Sequence, residues 1–241
     1  MFRPWLAAAM AVAALGLGLA APLAASSFMI NPVLIEVDAD KATAILTIEN
    51  REATPVSLRL QARSWRQEGG VDVYGEATDL IMSPPIVTIP GNGRQIVRIG
   101  QRKRSTGEER AYRIIVEEIP GKPIGGNAVQ MALRFDLPMY ILPRKADPVP
   151  LQWTASRDKD GRLAVEAVNA GASRQEILEL GWVDASGASS KLEGRVGVVL
   201  GKSSKRWLLE PAPASLSGGR LTLLVRTEDG EKRVEVAVRS S

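Results

Sequence analysis

Val129, Met131, Leu133 and Phe135 fall at every second position of the stretch Asn127–Pro143, NAVQMALRFDLPMYILP. Gln130, Arg134 and Asp136 take the alternate positions, with Ala132 among them. A period of two is that of a β-strand with one apolar face. Such a strand can do chemistry without an ionisable group. Its backbone can hydrogen-bond a strand of another protein while its alternate side chains fill that protein's pockets. The same pattern also suits an ordinary core strand of a β-sandwich, and periodicity leaves both readings open. The stretch is long for a strand and follows a Gly/Pro-rich turn, GKPIGGN.

Other chemistries are narrowed by what the chain lacks. Among its 241 residues there is no histidine and no cysteine. The usual general base and the commonest metal ligand are therefore missing, as are disulfides and thiolate metal sites. Ser-His-Asp and Cys-His catalysis cannot occur. No tight carboxylate cluster suggests glycosidase-like or metal chemistry, and no GxxxxGK[ST] loop is present for nucleotide phosphates. The chain reads as a non-enzyme, with no catalytic residues, no metal site and no cofactor.

Around these residues the composition is that of a globular chain. Hydrophobic residues make up 45%, enough for real cores, and aromatics only 5%. The formal charge of +4 is small and dispersed, which argues against nucleic acid as a partner. One basic run, Arg102-Lys103-Arg104, reads as a solvated loop. Residues 1–26 carry a short positive start at Arg3, an apolar Ala-rich run from Leu6 to Ala21 and small residues before Ser26. That is the pattern of a secretory signal with cleavage near residues 25–26. No other apolar run approaches the ~20 residues of a membrane helix. An exported chain without stable membrane insertion is expected, carrying 30 basic and 27 acidic residues once Arg3 is removed.

The elements that must position the alternating stretch are themselves strands. Phe28, Ile30, Pro32 and Leu34 alternate, and then Val33, Ile35 and Val37 take the opposite parity. Such a change marks a bulge or a strand that switches sheets. Thr43–Glu49, Val56–Trp65, Leu80–Met82, Ile86–Ile89, Arg94–Ile99 and Tyr112–Ile119 follow, separated by turns such as Pro90-Gly91-Asn92-Gly93. Short strands with regular Gly/Pro punctuation predict an antiparallel sandwich. The proline-bounded stretch 144–148 predicts a hinge between a domain at 27–143 and a second at 149–241. In the second half, Leu151–Ala155, Leu163–Val168, Glu176–Trp182, Val196–Leu200, Lys205–Leu209, Leu221–Arg226 and Arg233–Val238 read as strands. Asn169-Ala170-Gly171 reads as a turn, and Glu228-Asp229-Gly230 as the loop of a closing hairpin. Trp65, Trp153, Trp182 and Trp207 read as packing residues.

Three motifs in order, SPPIVTIPGNGRQIVRI (83–99), YRIIVEEIPGKP (112–123) and NAVQMALRFDLP (127–138), resemble the PapD-like periplasmic pilus chaperones. The resemblance covers the leader and nearly all of the first domain, and in the second domain only size and strand habit fit. It implies two immunoglobulin-like β-sandwich domains in an L-shaped arrangement, an all-β fold. It implies a periplasmic chaperone that completes pilus or fimbrial subunits by donor-strand complementation and delivers them to an outer-membrane usher. Val129, Met131, Leu133 and Phe135 would be the donor residues. Bare strand edges of this kind also admit pairing of the free chain with itself. The alternative from a different class is a two-domain structural or adhesive surface protein without chaperone activity.

One departure from the family pattern bears on the site. Members hold a client's C-terminal carboxylate with an arginine on the first strand and a lysine on the alternating strand. The matching positions here are Leu34 and Pro138, neither charged. An arginine fork suits a carboxylate, so Arg98, Arg113 and Arg134 become the candidate anchors; the plainer reading is a structural or surface ion pair for Arg98 and Arg113 and solvent exposure for Arg134. Glu109 matches an acidic position of an interdomain ionic cluster. Its usual basic partner falls at Leu142, which leaves Arg144 as the expected stand-in.

Overall fold

The computed structural model describes residues 28–103, 107–121, 131–145, 149–192, 194, 196–213, 215–216 and 218–239. The leader, Val129 and most of the expected hinge lie outside them. The described residues form strands and turns with no helix, as the sequence pattern requires.

In the first half, β1 (Phe28–Asn31), β3 (Thr43–Asn50), β8 (Arg94–Gln101) and β6 (Leu80–Ser83) form one sheet in the order β1-β3-β8-β6. The facing sheet runs β2 (Ile35–Val37), β10 (Arg134–Ile141), β9 (Arg110–Glu118), β4 (Val56–Glu68) and β5 (Val71–Glu76), with β7 (Ile86–Ile89) also paired to β4. The parity change near Pro32 is a sheet switch: β1 pairs with β3 of one sheet, and β2 runs parallel to β10 of the other. The inward faces of the two sheets supply one core, with Leu46, Ile48, Leu58, Val97, Ile114, Val116, Met139 and Ile141 almost wholly removed from water.

The second half has its own core, around Val165, Ile177, Leu180, Trp182, Val199, Leu221 and Leu223. Its strands are β11 (Gln152–Arg157), β12 (Leu163–Asn169), β13 (Gln175–Ile177), β14 (Glu179–Val183), β15 (Ser189–Lys191), β16 (Gly197–Val199), β17 (Ser203–Leu208), β18 (Arg220–Thr227) and β19 (Gly230–Arg239). They pair in the order β15-β14-β18-β19-β11-β12-β17, and β13 pairs with β16. β18 and β19 close through the two residues Glu228 and Asp229, with Thr227 opposite Gly230, as the hairpin signal predicts. Two β-sandwiches with separate cores are thus the architecture.

The same device seals a corner in each domain. Asn50 is buried, and its amide donates to the carbonyls of Thr54, Ile89 and Pro90, while its Oδ1 accepts from the Glu52 N–H. Asn169 repeats the pattern with the carbonyls of Ser173 and Val199 and the Gly171 N–H. Each satisfies backbone groups that a turn would leave unpaired in the interior. Beside the first, Gly91 cannot carry a side chain, since an added Cβ would lie 2.0 Å from the Ala53 carbonyl oxygen.

Three differences from the sequence reading concern extent. β5 and β15 were not anticipated. The run Glu176–Trp182 divides at Leu178 into β13 and β14, which pair with different neighbours. β10 begins only at Arg134, so Met131 and Leu133 of the expected donor strand precede it. The peptide bonds Asn31–Pro32, Ser83–Pro84 and Glu210–Pro211 are cis.

Candidate strand-docking site

β10 is half interior strand and half edge. Along its whole length it pairs with β9, from Arg134 opposite Glu117 to Ile141 opposite Arg110. On its other flank β2 covers only Met139 to Ile141. From Arg134 to Pro138 that flank has no ladder partner among the described residues.

The direction of the backbone groups follows from two hydrogen bonds. The Glu118 N–H donates to the Leu133 carbonyl at 2.9 Å, and the Leu142 N–H donates to the Val37 carbonyl at 2.8 Å. Antiparallel ladders alternate, so odd-numbered residues turn their backbone groups to β9 and even-numbered ones turn outward. Arg134 and Asp136 therefore offer donors and acceptors along the open flank. Pro138 has no N–H to offer, and its bare nitrogen faces away from β9, so the strand accepts a proline there without losing an internal bond. The open flank closes where β2 begins, beside Pro138, with Val33 and Leu34 substantially exposed on the connection that precedes β2.

The apolar side chains of this stretch divide by depth. Met131 is 63% exposed. Leu133 and Phe135 are partly buried against the domain's own core, and the Phe135 ring sits 5.0 Å from that of Phe28 on β1. Leu137, Met139 and Ile141 lie fully inside it.

The opposite face of the same sheet meets the second domain. Tyr74, Trp65, Ala111 and Tyr140 lie on neighbouring strands, with Trp65 6.3 Å from Tyr74 and 6.0 Å from Tyr140 between ring centroids. Leu200 of the second domain completes this apolar cluster. Burial pushes the Tyr140 hydroxyl up to about 12. Two arginines lie on the aromatic row. Arg174 from the second domain stands 3.7 Å above the Tyr140 ring, and Arg113 from β9 stands 4.0 Å above Trp65.

Arg174 is the hub of the domain contact. Its guanidinium donates to Glu109 Oε2 at 2.6 Å and also to Glu36, and its backbone N–H donates to Glu109 Oε1. Burial raises the Glu109 carboxyl, and the Arg174 charge works against that rise. Farther along, Gln67 grips the second domain's backbone with both ends of its amide, donating to the Val198 carbonyl and accepting from the Leu200 N–H. Asp72 receives the Trp65 indole N–H at 3.0 Å, the Gln67 amide at 2.9 Å and the Lys205 ammonium at 2.7 Å. Burial alone would raise the Asp72 carboxyl, yet the donors, Lys205 foremost, hold it below its ordinary value. The Arg206 N–H donates to the Gly70 carbonyl, which ties the β4–β5 turn to the edge strand β17.

The structure scatters the three candidate anchors. Arg98 is exposed on β8, in the sheet that does not contain β10. Arg134 stands at the start of β10, 4.0 Å from Glu117. Arg113 lies directly across the ladder from Pro138, at the closed end of the open flank. Its Nε is buried without a hydrogen-bond partner, and its nearest carboxylate, Asp136, is 3.7 Å away. On the other side it faces Arg63 of β4. Arg144 is not the partner of Glu109: it pairs at the surface with Asp40, and Arg174 takes the buried role. Arg174, Gln67 and Lys205 carry no local signal, because each acts on a residue far away in sequence.

A family model described as the pili and flagellar-assembly chaperone, PapD N-terminal domain, matches residues 27–147. No curated protein sequence matches the chain. Among solved structures, the chain is similar to one from the CsuC–CsuE chaperone–tip adhesion subunit pre-assembly complex of the archaic Csu pili of Acinetobacter baumannii. Identity is 20%, the match covers 89% of this chain and all of that one, and the TM-score is 0.68. It is also similar to a chain from the Salmonella enterica SafA pilin–SafB chaperone complex, at 15% identity over 88% of this chain and 96% of that one, TM-score 0.59. The E. coli chaperone DraB matches at 16% identity over 89% and 97%, TM-score 0.57. These likenesses bear on the fold.

Proposed function

The chain belongs to the pili and flagellar-assembly chaperone family whose first domain is of the PapD type, and from that premise we propose that it is a periplasmic, non-enzymatic chaperone for pilin-type subunits. It captures a subunit by adding β10 to the subunit's incomplete sandwich, donor-strand complementation, and hands it to an outer-membrane usher. The observation that carries the reading is the half-open β10. An exposed strand flank beside accessible apolar groups invites aggregation unless a partner uses it. Here the flank is short and ends at Pro138 and β2.

Met131 is the side chain freest to enter a client pocket, with Leu133 and Phe135 shared between client and chaperone core. Val129 lies outside the described residues and is proposed as the fourth donor. A client strand whose C-terminus lies at the closed end runs parallel to β10 and brings its terminal carboxylate to Arg113. Arg113 is accordingly the favoured anchor, ahead of Arg98 and Arg134.

The test is recovery of co-purifying proteins from the periplasmic fraction of the native cell, for tagged wild type and for a Met131→Asp/Leu133→Asp variant. Small secreted subunits held by the wild type and absent from the variant are expected. Equal recovery with both, or none with either, would remove the strand-capture reading. A chain found on the cell surface instead of in the periplasmic fraction would favour the adhesive alternative.

A further inference from the structure

We infer that the second domain takes part in strand docking: Lys205, acting through Asp72 and Trp65, positions Arg113 to tell a carboxylate from a neutral strand end. The inference rests on the reading that strands dock on β10. No carboxylate fixes Arg113. Its Nε is unpartnered, and Asp136 at 3.7 Å is beyond hydrogen-bonding distance. Arg63 stands directly opposite it on β4, and like charges directly opposite repel. The guanidinium lies on the face of Trp65, 4.0 Å away, and also hydrogen-bonds the Tyr74 side chain, whose ring is stacked on Trp65.

The Trp65 ring is in turn held at its N–H by Asp72. Asp72 stays ionised in a partly buried place because Lys205 reaches it from the second domain, the Lys205 side chain being itself largely buried. The chain of contacts Lys205–Asp72–Trp65–Arg113 therefore begins in one sandwich and ends at the closed end of the open flank in the other. A partly exposed guanidinium stacked on an aromatic, with no carboxylate within hydrogen-bonding distance, is suited to receive one. An anion there would also relieve the Arg63–Arg113 repulsion. Lys205 is a positioning residue in this scheme, since it does not touch the docked strand, and Arg113 is the binding residue.

The experiment titrates the full mature chain with a fluorescein-labelled Val-Thr-Val-Thr-Val-Thr-Val peptide, once as the free C-terminal acid and once as the C-terminal amide. Wild type is expected to prefer the acid by about tenfold, one charge-assisted hydrogen-bonding contact. Arg113→Gln should bind both forms alike. Lys205→Met should cut the preference to about threefold or less while leaving amide binding unchanged, and Lys205→Arg should restore it. Asp72→Asn gives the same reading independently, should Lys205→Met fold poorly. A preference that survives intact in both Lys205→Met and Asp72→Asn overturns the positioning role and leaves strand docking standing. Equal binding of acid and amide by wild type overturns the anchor as well. No binding of either peptide removes strand docking and the inference with it.

Discussion

Arg174 of the second domain lies over the ring of Tyr140 of the first, its Cζ 3.7 Å from the ring centroid, while the same guanidinium bonds Glu109. Stacking and ion pairing on one side chain fix it in two directions at once. The Glu109 side chain is only 2% exposed, so its charge depends on this partner. Removing one member of a buried pair leaves an uncompensated charge at a cost of ~3–5 kcal/mol. Arg174→Met should therefore lower stability by about that amount in chemical denaturation. A loss below ~1 kcal/mol would mean the pair is solvated and the domains are held by their other contacts.

Asp72 predicts an acid limb. Its carboxyl titrates below its ordinary value of 3.8 in the folded chain. The unfolded state then takes up a proton first, so the stability gained from Lys205, Gln67 and Trp65 is present above 3.8 and drains away as pH falls through the lower folded value. Asp72→Asn should lose stability at neutral pH and show a shallower fall below pH 4. Unfolding curves for the two proteins that stay parallel from pH 7 to pH 2 would contradict the assignment.

The Gly69-Gly70 turn predicts a steric test of the domain contact. Gly70 has φ +82°, and a Cβ added there would come within 2.7 Å of Arg206 Cβ. Gly69, at φ +58°, has nothing within 4 Å of the added atom. Both Gly→Ala changes meet the left-handed strain of ~1–2 kcal/mol. Gly70→Ala must in addition push β17 away. It should cost measurably more than Gly69→Ala, and should weaken the Arg206–Gly70 hydrogen bond as seen in amide exchange at Arg206. Equal costs and unchanged exchange would show the two domains separating freely at this point.

The division of the apolar side chains by depth predicts that fold and capture part company along β10 and its approach. Met131→Ser should leave stability within ~0.5 kcal/mol, as for an exposed site. Phe135→Ala should cost ~2–3 kcal/mol, less than a fully buried phenylalanine, because its ring is only partly buried. Both should reduce subunit recovery. Thermal melts in which Met131→Ser is the more damaging change would invert the assignment.

The sheets were legible in the sequence to different degrees, for physical reasons. Strands with one face in the core, such as Thr43–Asn50 and Val56–Glu68, alternate in hydrophobicity and announce themselves. The parity flip around Pro32 marked the sheet switch because β1 and β2 bury opposite parities in one core. β5 escaped notice because none of its six residues is fully buried, so no alternation was imposed on it. β15 is three polar edge residues. Leu178 looked like part of a continuous strand because an exposed leucine at a kink reads the same as one inside. For the site, local pattern pointed to β10 and its neighbour Arg113. Arg174, Gln67 and Lys205 act across 65, 131 to 133 and 133 residues respectively, and nothing in their own surroundings marks them.

β4 runs unbroken for thirteen residues. At its near end it pairs with β7, along its middle it carries β9, and at its far end its turn is fastened to β17 of the second sandwich. A tilt of one sandwich against the other is thereby converted into torsion of the sheet to which β10 belongs. A guest strand bound on the open flank of β10 should thus also stiffen the contact between the two sandwiches.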